Sequence, residues 1–230
     1  MHYYEVLKPI DCRGDIFDIL LSLGWYPMGQ SVFTTSHLFR EEDSSPKEVF
    51  WLRFPVPSID NKASHRRIRN RNREFSLEFA NPFSHREELD HLYRKYLDSV
   101  NFEGYESIEK ATFGGSESNI YNSKAIILRD GERPISCGIF HEGETSVASV
   151  LHFYDPDYRG VSPGKYLILK TLDYCRERGF QWYYPGYIIR GNPKMDYKLF
   201  LGPDKAQYYS PYPDPLSGSW LSFTPDLLKI

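Results

Sequence analysis

The sequence predicts an α+β fold, and three stretches carry that expectation. KAIILR (124–129), a DGER turn and PISCGIF (134–140) form a β-hairpin pattern. TSVASVLHFY (145–154) follows as a third strand. KYLILKTLDYCRER (165–178) has the apolar spacing of a helix, Gly179 can end it, and QWYYPGYII (181–189) returns as a fourth strand. Three strands, a glycine-containing loop, a helix and a strand call for a mixed, mostly antiparallel sheet flanked by helices.

The elements before this block are read in the same way. In DIFDILLSL (15–23), Ile16, Ile19, Leu20 and Leu23 share one helical face, with Gly24 as a stop. VFTTSHLF (32–39) and EVFWLRFPV (48–56) read as strands joined by the polar link 40–47, and Pro55 and Pro57 end the second. SHREELDHLYRKYLDSV (84–100) is the clearest helix. Ser84 and Glu87 suggest a capping box, and Leu89, Leu92, Tyr93, Tyr96, Leu97 and Val100 lie on one face. A boundary near residue 80 is expected, with a smaller α+β region at 1–80 and the main domain at 81–230.

With 230 residues the chain can bury a sizeable core. Its net charge of −3 excludes a polycation, so any nucleic-acid contact has to come from a local patch. Such a patch exists in NKASHRRIRNRNRE (61–74): Lys62, Arg66, Arg67, Arg69, Arg71 and Arg73 precede the first acid, Glu74. The guanidinium fork matches phosphate, so the arginines are candidate phosphate ligands; the alternative is a solvated helix face.

Cys12, Cys137 and Cys175 are far apart and odd in number, which argues for buried thiols rather than a disulfide framework or a zinc site. No metal is expected. His65, His85, His91, His141 and His152 show no metal-ligand spacing and read as structural or surface residues. No apolar run approaches the ~20 residues of a membrane span, and the first residues lack a signal-peptide pattern. A cytoplasmic protein without membrane contacts is expected.

YRGVSPGKYLILK (158–170) resembles the acyl-CoA loop of GNAT-type acetyltransferases through Arg159, Gly160 and Gly164 at a helix start. Free N–H groups and a positive dipole end favour an anion there, and Pro163 removes one of those donors.

A wider resemblance covers most of the chain, strongest over 154–198. Tyr154-Asp155-Pro156, Ser162-Pro163-Gly164, Tyr184-Pro185-Gly186-Tyr187-Ile188-Ile189 and Pro193-Lys194-Met195-x-Tyr197-Lys198 resemble the aminoacyl-tRNA–protein transferases, which include the eukaryotic arginyl and bacterial leucyl enzymes. LGWYPMGQSVF (23–33) and the basic segment of 51–75 are similar more faintly. Pro163 and Pro185 replace leucines of the pattern, and Asn192 stands where a cysteine is common. The family's metal- or cluster-binding cysteines have no counterpart between Cys12 and Cys137.

The resemblance implies a GNAT-like fold that uses aminoacyl-tRNA as co-substrate with no resident cofactor. It implies transfer of arginine or leucine to the N-terminal α-amine of a protein, typically one with an acidic first residue, as a mark for degradation. An aminoacyl ester is already activated, so positioning, one proton route and a polarising group suffice.

Tyr154, Asp155, Tyr187 and Tyr197 are the candidate catalytic residues. The tyrosines, with Tyr184, would frame the ester and terminal adenosine; Tyr187 or Tyr197 would donate to the oxyanion or leaving oxygen; Asp155 would hold an ammonium. Arg159, Ser162, Gly164, Tyr184, Arg190, Lys194 and Lys198 are candidate substrate-binding residues, and Arg66, Arg67, Arg69, Arg71 and Arg73 candidate tRNA contacts. Two alternatives stay open: an acetyl-CoA-dependent N-acetyltransferase, and a non-catalytic relative that binds tRNA or peptide.

Overall fold

The computed structural model describes residues 2–39, 45–100, 104–116, 118–212 and 218–229. Residues 40–44 of the expected polar link lie outside them. The first sheet joins β1 (Tyr4–Leu7), β3 (Ser31–Thr35) and β2 (Tyr26–Met28) in the order β1-β3-β2, all antiparallel, with helix α1 (Gly14–Ser22) between β1 and β2 in the chain. The expected strand 32–39 is split: β3 ends at Thr35, and His37–Leu38 form a separate β4 on β5 (Lys47–Pro55). The Thr35 hydroxyl donates to the carbonyl of His37 at 2.7 Å and stabilises the bend between them.

The large sheet takes its remaining strands from β6 (Ser76–Ala80), β7 (Asn122–Asp130), β8 (Arg133–Glu142), β9 (Ser146–Tyr154), β10 (Trp182–Ile189), β11 (Gln207–Ser210) and β12 (Ser219–Ser222). Its order is β12-β11-β5-β10-β9-β8-β7-β6, and among the described residues only β9 and β10 pair in parallel. Helix α5 (Pro163–Glu177) makes the crossover between them, because parallel neighbours need a long connection. The mixed, mostly antiparallel sheet agrees with the expected GNAT-like arrangement.

The boundary expected at residue 80 is not a seam. β5 and β6 both precede it, and they lie beside β10 and β7 in one continuous sheet.

Alternation along β7 sorts the core onto two faces. Ile126 and Leu128 pack with Leu167, Leu169 and Leu172 of α5. Ala125 and Ile127 face the other way, toward Leu89, Leu92 and Tyr93 of α3 (Arg86–Leu97) and Ile108 of α4 (Ile108–Phe113). The short helix α2 (Ala63–Arg71) buries His65 and Ile68 and leaves most of its arginines outside. The capping box does not form: α3 starts at Arg86 with His85 at its N-cap, two residues past Ser84. His85 instead places its ring nitrogens 2.7 Å from Glu78 and 2.9 Å from Glu88. Cys12, Cys137 and Cys175 are all buried free thiols.

Candidate active site

The site forms where β9 and β10 part. Their parallel pairing runs only from Trp182↔Ser146 to Tyr184↔Ala148. Directly beyond it both strands are irregular. β10 sets Tyr184 and Pro185 against the single Arg53 of β5, and β9 skips Val150 in its register with β8. Pro185 has no N–H to give a ladder, so a bulge accommodates it. Gly186 follows at φ +90°, a conformation open mainly to glycine. The local sequence thus ends the pairing and splits the sheet.

The split opens into a cavity of about 770 Å³. Ser149 to His152 line one side and Pro185 to Tyr187 the other. The β2–β3 hairpin, Tyr105 and α4 close it, with Met195, Tyr197 and Lys198 at its end. The hairpin turn fits tightly: a Cβ on Gly29 would lie 3.3 Å from the Cα of Gly114. At the apex of the split the Tyr26 hydroxyl reaches the carbonyls of Ser149 and Tyr184, the latter at 3.0 Å.

A second cavity of about 350 Å³ adjoins it and shares His152 and Tyr197. Tyr154, Arg159, Ser162, Gly164 and Lys194 all line it, so five of the residues expected from sequence meet here with Tyr197. Ser162 holds φ 58°, the only positive φ at a non-glycine among the described residues, and Pro163 takes the first helical position of α5. The helix has no hydrogen bond for that first N–H, so the proline costs the helix nothing while removing one donor from the anion cradle. The Tyr154 ring packs over Gly164, 3.6 Å from where a Cβ there would lie, which is ordinary contact distance.

The two cavities have one electrostatic sign. Lys8, Lys110 and Lys198 line the larger, Arg159, Lys165 and Lys194 the smaller, and among the described residues no carboxylate lines either. Lys198 is the most desolvated of them. Its ammonium donates to the carbonyl of Tyr187 at 2.7 Å and lies 5.1 Å from the centre of the Tyr187 ring. Burial pulls its pKa down to about 8. His152 stands beside it with Nε2 buried and unpartnered; burial first, then the charge of Lys198, lowers its pKa to about 4. A Cβ at Gly138 would come within 2.8 Å of the His152 ring, so the glycine makes its seat. The sequence read His152 as structural or surface. Only its place two residues before Tyr154, on the same face of the strand, hinted otherwise.

Four expected site residues go elsewhere. Asp155 is 1% exposed; Lys95 lies 2.7 Å from it, Arg133 pairs with it, and it accepts from the Asp157 N–H. Burial would raise its pKa, but these partners hold it below the usual carboxylate value. It closes the corner after β9 and does not line the cavities. Tyr184 alternates to the other face of β10, where its ring meets Trp220 at 5.5 Å and its hydroxyl bonds Arg53. Arg190 pairs with Glu48 at 2.9 Å and donates to the carbonyl of Leu227. Arg69 makes a two-pronged pair with Asp173 of α5, while Arg66, Arg67, Arg71 and Arg73 are exposed. Among the described residues no group of His, Cys, Asp or Glu is placed to hold a metal, and no helix is long and apolar enough to cross a membrane.

A split parallel pair with a helix N-terminus beside it leaves room for a ligand with an anionic end. Residues 88–208 match the family model described as "Arginine-tRNA-protein transferase, C terminus". An aspartate/glutamate leucyltransferase of Stenotrophomonas maltophilia is 26% identical over 210 residues, 87% of this chain and 81% of its own. One from Cereibacter sphaeroides is 30% identical over 181 residues, covering 70% and 60%. Among solved structures, the C-terminal domain of a putative lysylphosphatidylglycerol synthetase from Agrobacterium fabrum superposes with TM-score 0.48 at 12% identity, over 67% of this chain and 51% of that one. A GCN5-related N-acetyltransferase from Anabaena variabilis gives 0.44 at 13% identity, over 90% and 43%. These two likenesses are loose, and the strand order carries the fold. The chain belongs to the arginine-tRNA-protein transferase family and is an aminoacyltransferase of that class.

Proposed function

We propose that the protein transfers leucine from leucyl-tRNA to the N-terminal α-amine of proteins that begin with aspartate or glutamate, and that arginyl-tRNA is the poorer donor. The single observation that supports this is the six-cation, acid-free lining of the two joined cavities. An arginine side chain entering the larger cavity would meet Lys8, Lys110 and Lys198 with no carboxylate to pair with, at the cost of desolvating a charge. A leucine side chain would meet Met28, Phe33, Leu151, Ile168 and Met195. Lys8, Lys110, Arg159, Lys165 and Lys194 among them suit an acidic acceptor side chain and the 3′ phosphates of tRNA.

In this reading the terminal adenosine and its phosphate lie in the smaller cavity, over the first turn of α5 with Arg159, Ser162, Gly164 and Lys194. The ester carbonyl lies between the strands. Val150, skipped by the ladder, supplies a backbone donor for its oxygen, and Tyr187 and Tyr197 flank the leaving oxygen. No resident cofactor takes part. Exposed Arg66, Arg67, Arg71 and Arg73 meet the tRNA backbone. Charged tRNA and nascent proteins place the reaction in the cytoplasm, where the new N-terminal residue marks the acceptor for degradation.

The test is transfer of radiolabelled leucine or arginine from charged tRNA to peptides that begin with Asp, Glu or Ala. Leucine on the acidic peptides is the expected result. Label from arginyl-tRNA alone would reverse the donor assignment. Labelling from acetyl-CoA with none from either tRNA would overturn the whole reading.

A further inference from the structure

We propose that Lys198 is the proton carrier of the transfer step: its neutral amine takes the proton from the attacking α-amine and returns it to the departing ribose oxygen. This rests on the aminoacyl-transfer reading above and assigns to one of its lining residues a task other than charge recognition.

The geometry separates Lys198 from the other five cations. Lys8 is exposed, and Lys110 is paired with Glu106 on its own helix. Lys198 reaches into the split, where its ammonium lies 3.3 Å from the point a Cβ on Gly186 would occupy. Its one hydrogen bond in the described structure goes to the Tyr187 carbonyl. An ammonium carries three protons, so two donor directions remain for a substrate. The titratable groups that line the cavity with it are His152 from β9, Tyr183 and Tyr187 from β10, Tyr26 from β2, Lys110 from α4, Lys8, Tyr105, and Tyr197 from its own segment. None is an acid, and burial of His152 keeps that ring neutral at physiological pH. A lysine so placed gives up its proton far more readily than a surface lysine.

The step balances without any further reactant. The acceptor enters as the free amine, since an α-amine has a pKa of about 7.7–8.0. Its nitrogen bonds to the ester carbonyl carbon while one N–H proton passes to Nζ of Lys198. The carbon–oxygen bond to the ribose then breaks, and the ribose oxygen takes that proton back from Nζ. The products are an amide and a tRNA hydroxyl, with Lys198 neutral again. A lysine holding the acceptor's carboxylate would have to stay charged throughout, and the two roles therefore give opposite results on substitution.

Lys198→Arg keeps the charge and removes the base. Transfer is expected to fall by about 100-fold or more on Asp- and Glu-led peptides alike, with KM for the charged tRNA unchanged. Lys198→Ala is expected to regain part of its rate with added methylamine or ethylamine, in proportion to the unprotonated amine. A second readout needs no variant. With a weakly basic N-terminal hydrazide as acceptor, already neutral across the range, the wild-type single-turnover rate should rise with pH through a midpoint near 8. Full activity in Lys198→Arg, or a hydrazide rate flat with pH, would overturn the assignment. Wild-type enzyme inert with every charged tRNA would instead sink the underlying function.

Discussion

The Tyr26 hydroxyl lies 3.0 Å from the Tyr184 carbonyl, at the point where β10 leaves β9. It also reaches the Ser149 carbonyl on the other strand, so one residue of the small sheet clasps both lips of the split. Stacking of its ring on Trp51 at 5.3 Å, and the Trp51 indole bond to the Thr35 carbonyl at 2.9 Å, tie that clasp to both sheets. Tyr26→Phe keeps the ring and frees both carbonyls. A loss of about 1–2 kcal/mol in unfolding free energy is expected, together with roughly a tenfold loss in kcat/KM as the lips lose their spacing. Denaturant melts and steady-state transfer on one preparation check both.

The arginines of α2 divide by partner. Arg69 is bound to Asp173 by two hydrogen bonds, one of 2.7 Å, and both side chains are only a quarter exposed. Arg69→Ala should cost about 1–2 kcal/mol of stability through the lost α2–α5 link. A double Arg66/Arg67→Ala variant should leave the Tm within a degree or two. Its tRNA affinity should fall, with the slope of log K against log salt shallower by about one to two. Filter binding over a salt series separates the two classes of arginine.

Burial of Lys198 is a cost to the fold as well as a resource for the site. Its pKa drops from 10.5 to about 8, so between those values the unfolded chain binds more protons than the folded one, and stability rises with pH across that window. Below pH 8 the fold carries the full penalty of a desolvated ammonium. Lys198→Met should therefore stabilise the protein at pH 7 by about 1–2 kcal/mol while abolishing transfer, and the gain should fade as pH climbs from 8 to 10.5. Thermal melts of the pair of proteins at pH 7 and pH 10 report it.

Acid should unfold the protein through two histidines. His141 stacks on Tyr121 with ring centres 4.2 Å apart, its Nδ1 is 2.9 Å from the Ser123 hydroxyl, and burial lowers its pKa to about 3; for His152 the value is about 4. Both are neutral in the fold and titrate near 6.5 when unfolded, so stability is intact above pH 6.5 and declines as pH falls toward 4 and then 3. His141→Phe should flatten that decline. Urea midpoints measured from pH 7 to pH 4 would show it.

Much of this architecture was legible because the sequence is locally consistent. KAIILR, PISCGIF and TSVASVLHFY are apolar β-branched runs, and they became β7, β8 and β9. The β11–β12 pair escaped because each strand has four residues and little patterning. Among the site residues, Tyr154, Arg159, Ser162, Gly164, Tyr187, Lys194, Tyr197 and Lys198 reached the cavities because motif position follows chain order. Asp155 and Tyr184 did not, since one residue of displacement along a strand turns a side chain to the opposite face. The bulge at Pro185 illustrates the limit: the proline is visible in the sequence, but the split it permits depends on β5 and β9, more than thirty residues away. His152 went unread because its seat is made by Gly138 on another strand.

One structure tests the central claim most directly: the protein crystallised with an amide-linked 3′-leucylamido-adenosine, a stable copy of the charged tRNA end. The leucyl group should lie between β9 and β10, its carbonyl oxygen facing Val150, with Nζ of Lys198 within hydrogen-bond distance of the ribose side and the adenosine over the first turn of α5. An aminoacyl group bound away from the split, or a cavity that takes acetyl-CoA and refuses the analogue, would contradict it.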